Sequence, residues 1–176
     1  MKKGGGNKKG GAFEREILKK MSLWVSCGDR KDIFRRSMMS GGRATLSGMK
    51  EFQDQAGDSS LACDHKLGKK FLKFFLTEYK HLKRLKVDSL IYGVPKNKSL
   101  LAFWNRLEKD CKKIGRSPFL VARQNFKKDL LLTENYICQF FYHYRICEFR
   151  DMNLSICFFD DFIENVDPLA LFSCLG

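Results

Sequence analysis

Apolar residues recur with helical spacing in two segments of the chain. In residues 12–27 they share one face, charged residues fill much of the rest, and a glycine follows; the apolar positions are Phe13, Ile17, Met21 and Trp24. The second segment starts after Ser99, a favoured helix cap, and stops at Gly115. Its apolar positions are Leu100, Phe103, Trp104, Leu107, Cys111 and Ile114. The pattern predicts two amphipathic helices with Phe103 and Trp104 in the core rather than stacked on bases.

Short apolar runs predict strands in the middle of the chain. One run covers residues 32–37 and another, PFLVARQ, covers residues 118–124. Two further apolar segments, 59–63 and 71–77, flank a polar turn that contains a glycine, residues 64–70. We therefore expect two single strands and, from the flanking segments, a β-hairpin.

The pattern weakens after residue 130. Residues 136–149 and 153–159 are rich in aromatic and β-prone types, which predicts either edge strands or an interface. An acidic cluster follows, consisting of Asp160, Asp161 and Glu164. Because acids are favoured in the first turn of a helix, we interpret this cluster as helix N-terminal charge rather than as a metal site.

The candidate catalytic residues are Asp58 and the triplet Glu78-Tyr79-Lys80. On a strand, Glu78 and Lys80 point to one face and Tyr79 to the other. If Asp58 begins the neighbouring strand, two carboxylates and one ammonium meet. Oxygen ligands of this kind suit Mg²⁺, and a lysine beside the metal can orient a water molecule or stabilise negative charge. The residues therefore predict a site for a divalent metal and a phosphate.

The charge of the chain favours a polyanionic partner. The formal net charge is +13, from 33 Lys and Arg against 20 Asp and Glu. Nucleic acid is the first candidate partner and an anionic membrane the second. The sequence has no apolar run of about eighteen residues and no apolar signal core after its basic N-terminus. We expect a cytoplasmic protein without a membrane span.

The chain is of single-domain size, with a Gly- and Lys-rich start. Residues 1–11 hold four lysines and five glycines, and we expect a flexible basic arm that contacts phosphate. Residues 12–176 would then form one domain. The seven cysteines include no C-x-x-C pair, which predicts reduced, mostly buried thiols.

A basic, Gly-containing loop follows the strand predicted over residues 32–37. Its backbone amides can approach a phosphate closely, and its arginines can bind phosphate with two hydrogen bonds. The candidate phosphate-binding residues are Arg35, Arg36, Ser40, Gly41, Gly42 and Arg43.

The order of these motifs resembles the PD-(D/E)-x-K nuclease superfamily, especially archaeal-type Holliday-junction resolvases and related small phage nucleases. The likeness rests on Gly-Ala-Phe-Glu-Arg-Glu at 11–16, Ser-Gly-Gly-Arg at 40–43, Gly-Asp at 57–58 and Glu-Tyr-Lys at 78–80. It implies an α/β fold with a restriction-endonuclease-like core, in which helices flank a mixed β-sheet. Gly57 stands where the family has proline, a change we expect to be tolerated.

The resemblance also implies a role for each matching residue. Asp58 and Glu78 would bind the metal together with the backbone carbonyl of Tyr79. Lys80 would position or activate the attacking water, and Glu14 would lie near the metal from the first helix. Ser40, Gly41, Gly42 and Arg43 would engage DNA phosphate. Asp54 is the alternative to Asp58.

The resulting hypothesis is a Mg²⁺-dependent DNA endonuclease, with Mn²⁺ able to substitute. The resemblance implies branched or junction DNA, a role in DNA recombination, and a phage enzyme acting in the host cytoplasm. Cutting of both strands would favour a homodimer. The alternative is a catalytically inactive module that binds DNA or RNA. The endonuclease hypothesis requires the side chains of Asp58, Glu78 and Lys80 to lie within a few ångströms of one another, and the binding-module hypothesis does not.

Overall fold

The computed structural model describes residues 5–37 and 57–175, with side chains from residue 9 onward. The helices are α1 (Gly5–Val25), α2 (Lys66–Phe74), α3 (Asp88–Ile91), α4 (Leu100–Ile114), α5 (Phe159–Asn165) and α6 (Pro168–Cys174). The strands are β1 (Phe34–Arg36), β2 (Ser59–Leu61), β3 (Phe75–Leu82), β4 (Ser117–Gln124), β5 (Leu130–Thr133), β6 (Arg145–Phe149) and β7 (Leu154–Phe158). Short 3₁₀ helices cover Asn135–Phe140, Tyr142–Tyr144 and Arg150–Met152.

A five-stranded sheet of order β3-β4-β5-β7-β6 forms the centre of the molecule. Strands β3 and β4 are parallel, and the other neighbours are antiparallel. Strands β1 and β2 form a separate antiparallel pair that lies against the β3 edge. The sheet is therefore mixed and helices flank it, which confirms the predicted α/β fold class.

Side chains along β3 alternate between the face of the sheet covered by α1 and the face covered by α4. Tyr79 of β3 belongs to the apolar cluster that contains the α1 residues, whereas Leu76 belongs to the cluster that contains the α4 residues. Glu78 and Lys80 have the same parity as Leu76. They therefore share the α4 face, as the spacing of the triplet predicted.

The predicted hairpin is wrong. Residues 66–74 form α2, so a helix separates β2 from β3. His65 caps this helix, because its Nδ1 accepts a hydrogen bond of 3.2 Å from the Gly68 N–H. Phe71 and Leu72 are buried on α2, and β3 begins directly at Phe75. The apolar run over 71–77 thus serves two elements, which a reading of hydrophobicity alone treats as one strand.

Other predictions agree with the described elements. The strands expected over 32–37 and 118–124 are β1 and β4, and the second helix is α4 with Ser99 as its N-cap and Gly115 in the left-handed conformation at its end. The first helix, in contrast, already includes Gly5 to Gly11, so this part of the expected flexible arm is helical. Trp104 is 1% exposed and lies in the core.

The C-terminal third completes the sheet. Strand β6 is at the edge, but β7 lies inside it, and β5 had no counterpart in the predictions. Asp160 and Asp161 occupy the first turn of α5, as expected for helix N-terminal charge. Cys111, Cys138 and Cys157 are buried, and all seven cysteines are free thiols. None of the described helices combines the length and apolar character needed to cross a membrane.

Candidate active site

Asp58 lies directly before β2 and is held against β3 by two hydrogen bonds. Its backbone N–H donates to the Thr77 carbonyl over 2.9 Å, and its carboxylate Oδ2 accepts from the Tyr79 N–H over 2.7 Å. The residue is only 6% exposed. On the other side, its carbonyl accepts from the Ser37 N–H over 3.1 Å. These contacts place the Asp58 carboxylate at the middle of β3, beside Glu78 and Lys80.

Gly57 makes this close approach possible. Its φ is +81°, which proline cannot adopt and which other residues adopt only with strain. A Cβ at this position would lie 2.6 Å from the Thr77 carbonyl oxygen and 3.1 Å from the Thr77 nitrogen. The turn before Asp58 therefore requires glycine for its conformation and for its lack of a side chain.

Replacing Gly57 with alanine is expected to destabilise the protein by about 3 kcal/mol, because strain at positive φ adds to a clash with backbone. Gly28→Ala is the matched control, since Gly28 has a φ of +94° but open space where a Cβ would lie. Urea denaturation of the two variants separates the clash from the strain. Equal losses of stability in both variants would show that β3 does not restrict position 57.

Glu78 and Lys80 form an ion pair on the α4 face of β3. Their side chains are 20% and 25% exposed. Arg106 of α4 places its Nη2 3.6 Å from Glu78 Oε1. The ring of Phe103 lies 5.8 Å from the Lys80 Nζ and 5.8 Å from the Arg106 Cζ. The two cations therefore flank Glu78 above one aromatic ring.

Burial and a nearby negative charge disfavour the ionised form of Asp58. Desolvation is the main cause and the charge of Glu78 the next, and together they raise the pKa of Asp58 to about 7. Lys80 and the Tyr79 N–H act in the opposite direction, and Glu14 adds to the rise in pKa. The four ionisable groups thus share one electrostatic environment.

This environment fits a hard divalent cation. Among the described residues, no group of three or more His, Cys, Asp or Glu side chains is arranged to hold a metal. The Asp58 carboxylate is nevertheless bound to the backbone N–H of Tyr79, the residue after Glu78, and the negative charge of Glu78 acts on it. Because the N–H and C=O of one strand residue point to the same edge, the Tyr79 carbonyl faces the Asp58 side. A cation bound to these oxygens would relieve the repulsion between the carboxylates.

Glu14 reaches this region from α1 and forms an ion pair with Arg36 of β1. The structure therefore brings together Asp58, Glu78, Lys80 and Glu14, and joins Arg36 to them. Arg35 is exposed on β1. The remaining predicted phosphate-binding residues, Ser40, Gly41, Gly42 and Arg43, lie outside the described residues, as does Asp54.

Sequence reasoning missed the contribution of α4. Phe103 was predicted to be a core residue. It is partly buried and packs against the core, and its ring also lies beside the Lys80 and Arg106 cations. Phe103 and Arg106 are three residues apart and hence neighbours on one helix face. In the sequence, only this spacing pointed to a shared role for Phe103 and Arg106, and it does not show which strand the helix covers.

A second cluster of charged residues connects α1 to β4 by ion pairs. Arg123 donates two hydrogen bonds of 2.7 Å to the Glu16 carboxylate and also binds Asp129. Its guanidinium lies 4.6 Å from the ring centroid of Phe13. The hydrogen bonds from Arg123 lower the pKa of Glu16. This cluster positions the helix that carries Glu14.

Comparison with known proteins supports the same interpretation. A family model described as "Phage putative PDDEXK endonuclease" matches residues 5–172. Searches among curated proteins and among solved structures returned no match. The matched range contains Asp58, Glu78 and Lys80 and begins with α1. The likeness to Holliday-junction resolvases stays a prediction. The chain belongs to the phage PDDEXK endonuclease family.

Proposed function

We propose that this protein is a Mg²⁺-dependent DNA endonuclease with its active site at Asp58, Glu78 and Lys80. The observation that carries the proposal is the hydrogen bond of 2.7 Å from the Tyr79 N–H to the Asp58 carboxylate. It joins two segments that are 21 residues apart and holds the Asp58 carboxylate at the backbone of the residue between Glu78 and Lys80. This arrangement supports a metal site shared by the two acids.

All the proposed metal ligands are oxygen atoms. Asp58, Glu78 and the Tyr79 carbonyl would hold Mg²⁺, and Mn²⁺ would substitute, since both metals accept carboxylate and carbonyl ligands. When bound, the cation supplies charge stabilisation at the scissile phosphate and lowers the pKa of a coordinated water. Burial of Asp58 excludes bulk solvent from one side of the site.

Lys80 is the residue that acts on the reacting groups. Its ammonium lies beside Glu78, where it can orient the attacking water and stabilise the charge that develops on the phosphate. The ion pair and the ring of Phe103 restrict where the ammonium can move. Arg106 adds a second positive charge on the outer side of Glu78, where a neighbouring phosphate would lie.

The proposed DNA contacts lie around this centre. Arg36 is held next to the site by Glu14, and Arg35 lies exposed beside it. The segment 40–43 and the lysines within residues 1–11 would contact phosphate further along the backbone, in keeping with the net charge of +13. The resemblance to junction resolvases supports branched DNA as the substrate, a homodimer for cutting two strands, and action in the cytoplasm of a phage host.

A cleavage panel tests the proposal. Purified protein is incubated with four-way junction, flap, nicked duplex, plain duplex and single-stranded DNA of matched sequence, in Mg²⁺, Mn²⁺ or EDTA. We expect cleavage with either metal, none in EDTA, and the fastest cleavage of branched forms. Tight binding without cleavage of any form would instead support the inactive DNA-binding module, and binding of RNA alone would support the RNA-binding one.

A further inference from the structure

The turn between β4 and β5 carries an aromatic side chain that packs against none of the residues that the structure describes. Phe126 is 100% exposed. Its φ is +62°, a conformation that bulky residues avoid and that glycine or asparagine would adopt with less strain. The turn itself is closed by a hydrogen bond of 3.1 Å from the Lys127 N–H to the Gln124 carbonyl. Neither packing nor turn geometry therefore explains phenylalanine at this position.

This turn contacts the last two residues of β3, directly after Lys80 of the proposed active site. The Asn125 N–H donates to the Leu82 carbonyl over 3.2 Å, and the Asn125 side chain hydrogen-bonds the His81 ring over 3.0 Å. His81 directly follows Lys80. Lys80 is paired with Ala122, and Phe126 follows two residues after the end of β4, in the turn that leads back to β5.

The charges beside Phe126 match a nucleic-acid strand. Lys127 and Lys128 follow it directly, and both are exposed. Lysines bind the phosphates of a strand, while an exposed aromatic ring offers a stacking surface to its bases. A ring can stack only on a base whose face is open, as in single-stranded, flapped or branched DNA, because bases inside a continuous duplex are covered on both faces.

We propose that Phe126 stacks on an unpaired base near the cleaved phosphodiester and so gives the protein a preference for DNA that contains one. The inference rests on the proposed DNA-cleaving function and names the substrate feature that it would select. The β4–β5 turn then acts as a sensor of unpaired bases, with Lys127 and Lys128 holding the adjacent phosphates.

Binding measurements in EDTA test this inference without any need for cleavage. The two probes are a fully paired duplex and the same duplex with a single-stranded flap that carries 2-aminopurine. Phe126→Gly removes the ring while keeping a residue that accepts positive φ. We expect Phe126→Gly to weaken flap binding about tenfold and to abolish the change in 2-aminopurine fluorescence, with duplex binding within about twofold of the original protein. Phe126→Trp should preserve both signals.

Tyr142→Ala is the matched control, because Tyr142 is also an exposed aromatic, 61% exposed, but belongs to a different part of the chain. It should leave both affinities unchanged. Unchanged flap binding in Phe126→Gly, or an equal loss for flap and duplex, would overturn the inference and leave the proposed nuclease function intact. A fall of several degrees in the melting temperature of Phe126→Gly would also overturn it, since the ring would then pack within the protein. Failure of the original protein to bind either probe would refute both proposals.

Discussion

Replacing Lys80 with alanine is expected to lower the rate of DNA cleavage at least about 10³-fold while DNA affinity stays within about threefold. The ammonium lies beside Glu78, where it can act on the attacking water and on the phosphate charge that appears only during reaction. A group that acts mainly on the transition state contributes little to ground-state binding. Single-turnover cleavage in Mg²⁺ and binding in EDTA measure the two quantities separately.

Lys112→Ala provides the matched control for Lys80→Ala. Lys112 is on α4, its side chain is 71% exposed, and its ion pair is with Glu108 rather than with a site residue. It should cleave at the original rate. Glu78→Ala is expected to be as inactive as Lys80→Ala, and the double variant no slower, because residues that act as a unit show non-additive losses. Cleavage within tenfold of the original by Lys80→Ala would remove this lysine from the mechanism.

Asp58→Asn is expected to abolish cleavage and, at the same time, to stabilise the metal-free protein. The buried Asp58 has its pKa raised from 3.8 to about 7, chiefly by desolvation. Between these pH values the folded state binds more protons at this residue than the unfolded state does. The free energy of unfolding therefore falls as pH rises through this window, and asparagine removes the dependence. At pH 8 the gain should be about 4 kcal/mol.

Urea denaturation in EDTA at pH 4 and pH 8 measures this effect. The difference in stability between Asp58→Asn and the original protein should be larger at pH 8 than at pH 4. Adding Mg²⁺ at pH 8 should raise the stability of the original protein and leave that of Asp58→Asn nearly unchanged, because the variant lacks the charged ligand. If Asp58→Asn is less stable than the original protein at pH 8 without metal, burial beside Glu78 does not disfavour the charged carboxylate.

The sequence was sufficient to predict which face of β3 carries Glu78 and Lys80. Alternation along a strand places Glu78 and Lys80 on one face whatever the rest of the chain does, and this holds in β3. The hairpin prediction failed because hydrophobicity over residues 71–77 is continuous, whereas the structure divides it between α2 and β3. The helical part is recognisable only from Leu67, Phe71 and the cap at His65 taken together.

Other features depend on contacts that no local pattern records. Nothing in the sequence shows that Arg106 and Phe103 lie over Glu78, because the docking of α4 on the sheet sets their positions. The requirement for glycine at position 57 likewise follows from the approach of the chain to Thr77, and the family pattern suggests only a turn there. Nothing in the sequence marked Phe126 as a functional candidate, because its exposure and its positive φ are known only from the structure.

Because helix α2 separates Asp58 from Glu78 along the chain, local unfolding of the segment that carries Asp58 affects activity before it affects the rest of the fold. Hydrogen bonds join the pair β1–β2 to β3, among them those of Asp58 and one from the Ser59 N–H to the Thr77 hydroxyl over 3.1 Å. A locally unfolded form could release this pair while the five-stranded sheet persists. Such a form would keep its spectroscopic signature of folding but lack one of its two acids, so catalytic competence is the more sensitive reporter of early loss of structure.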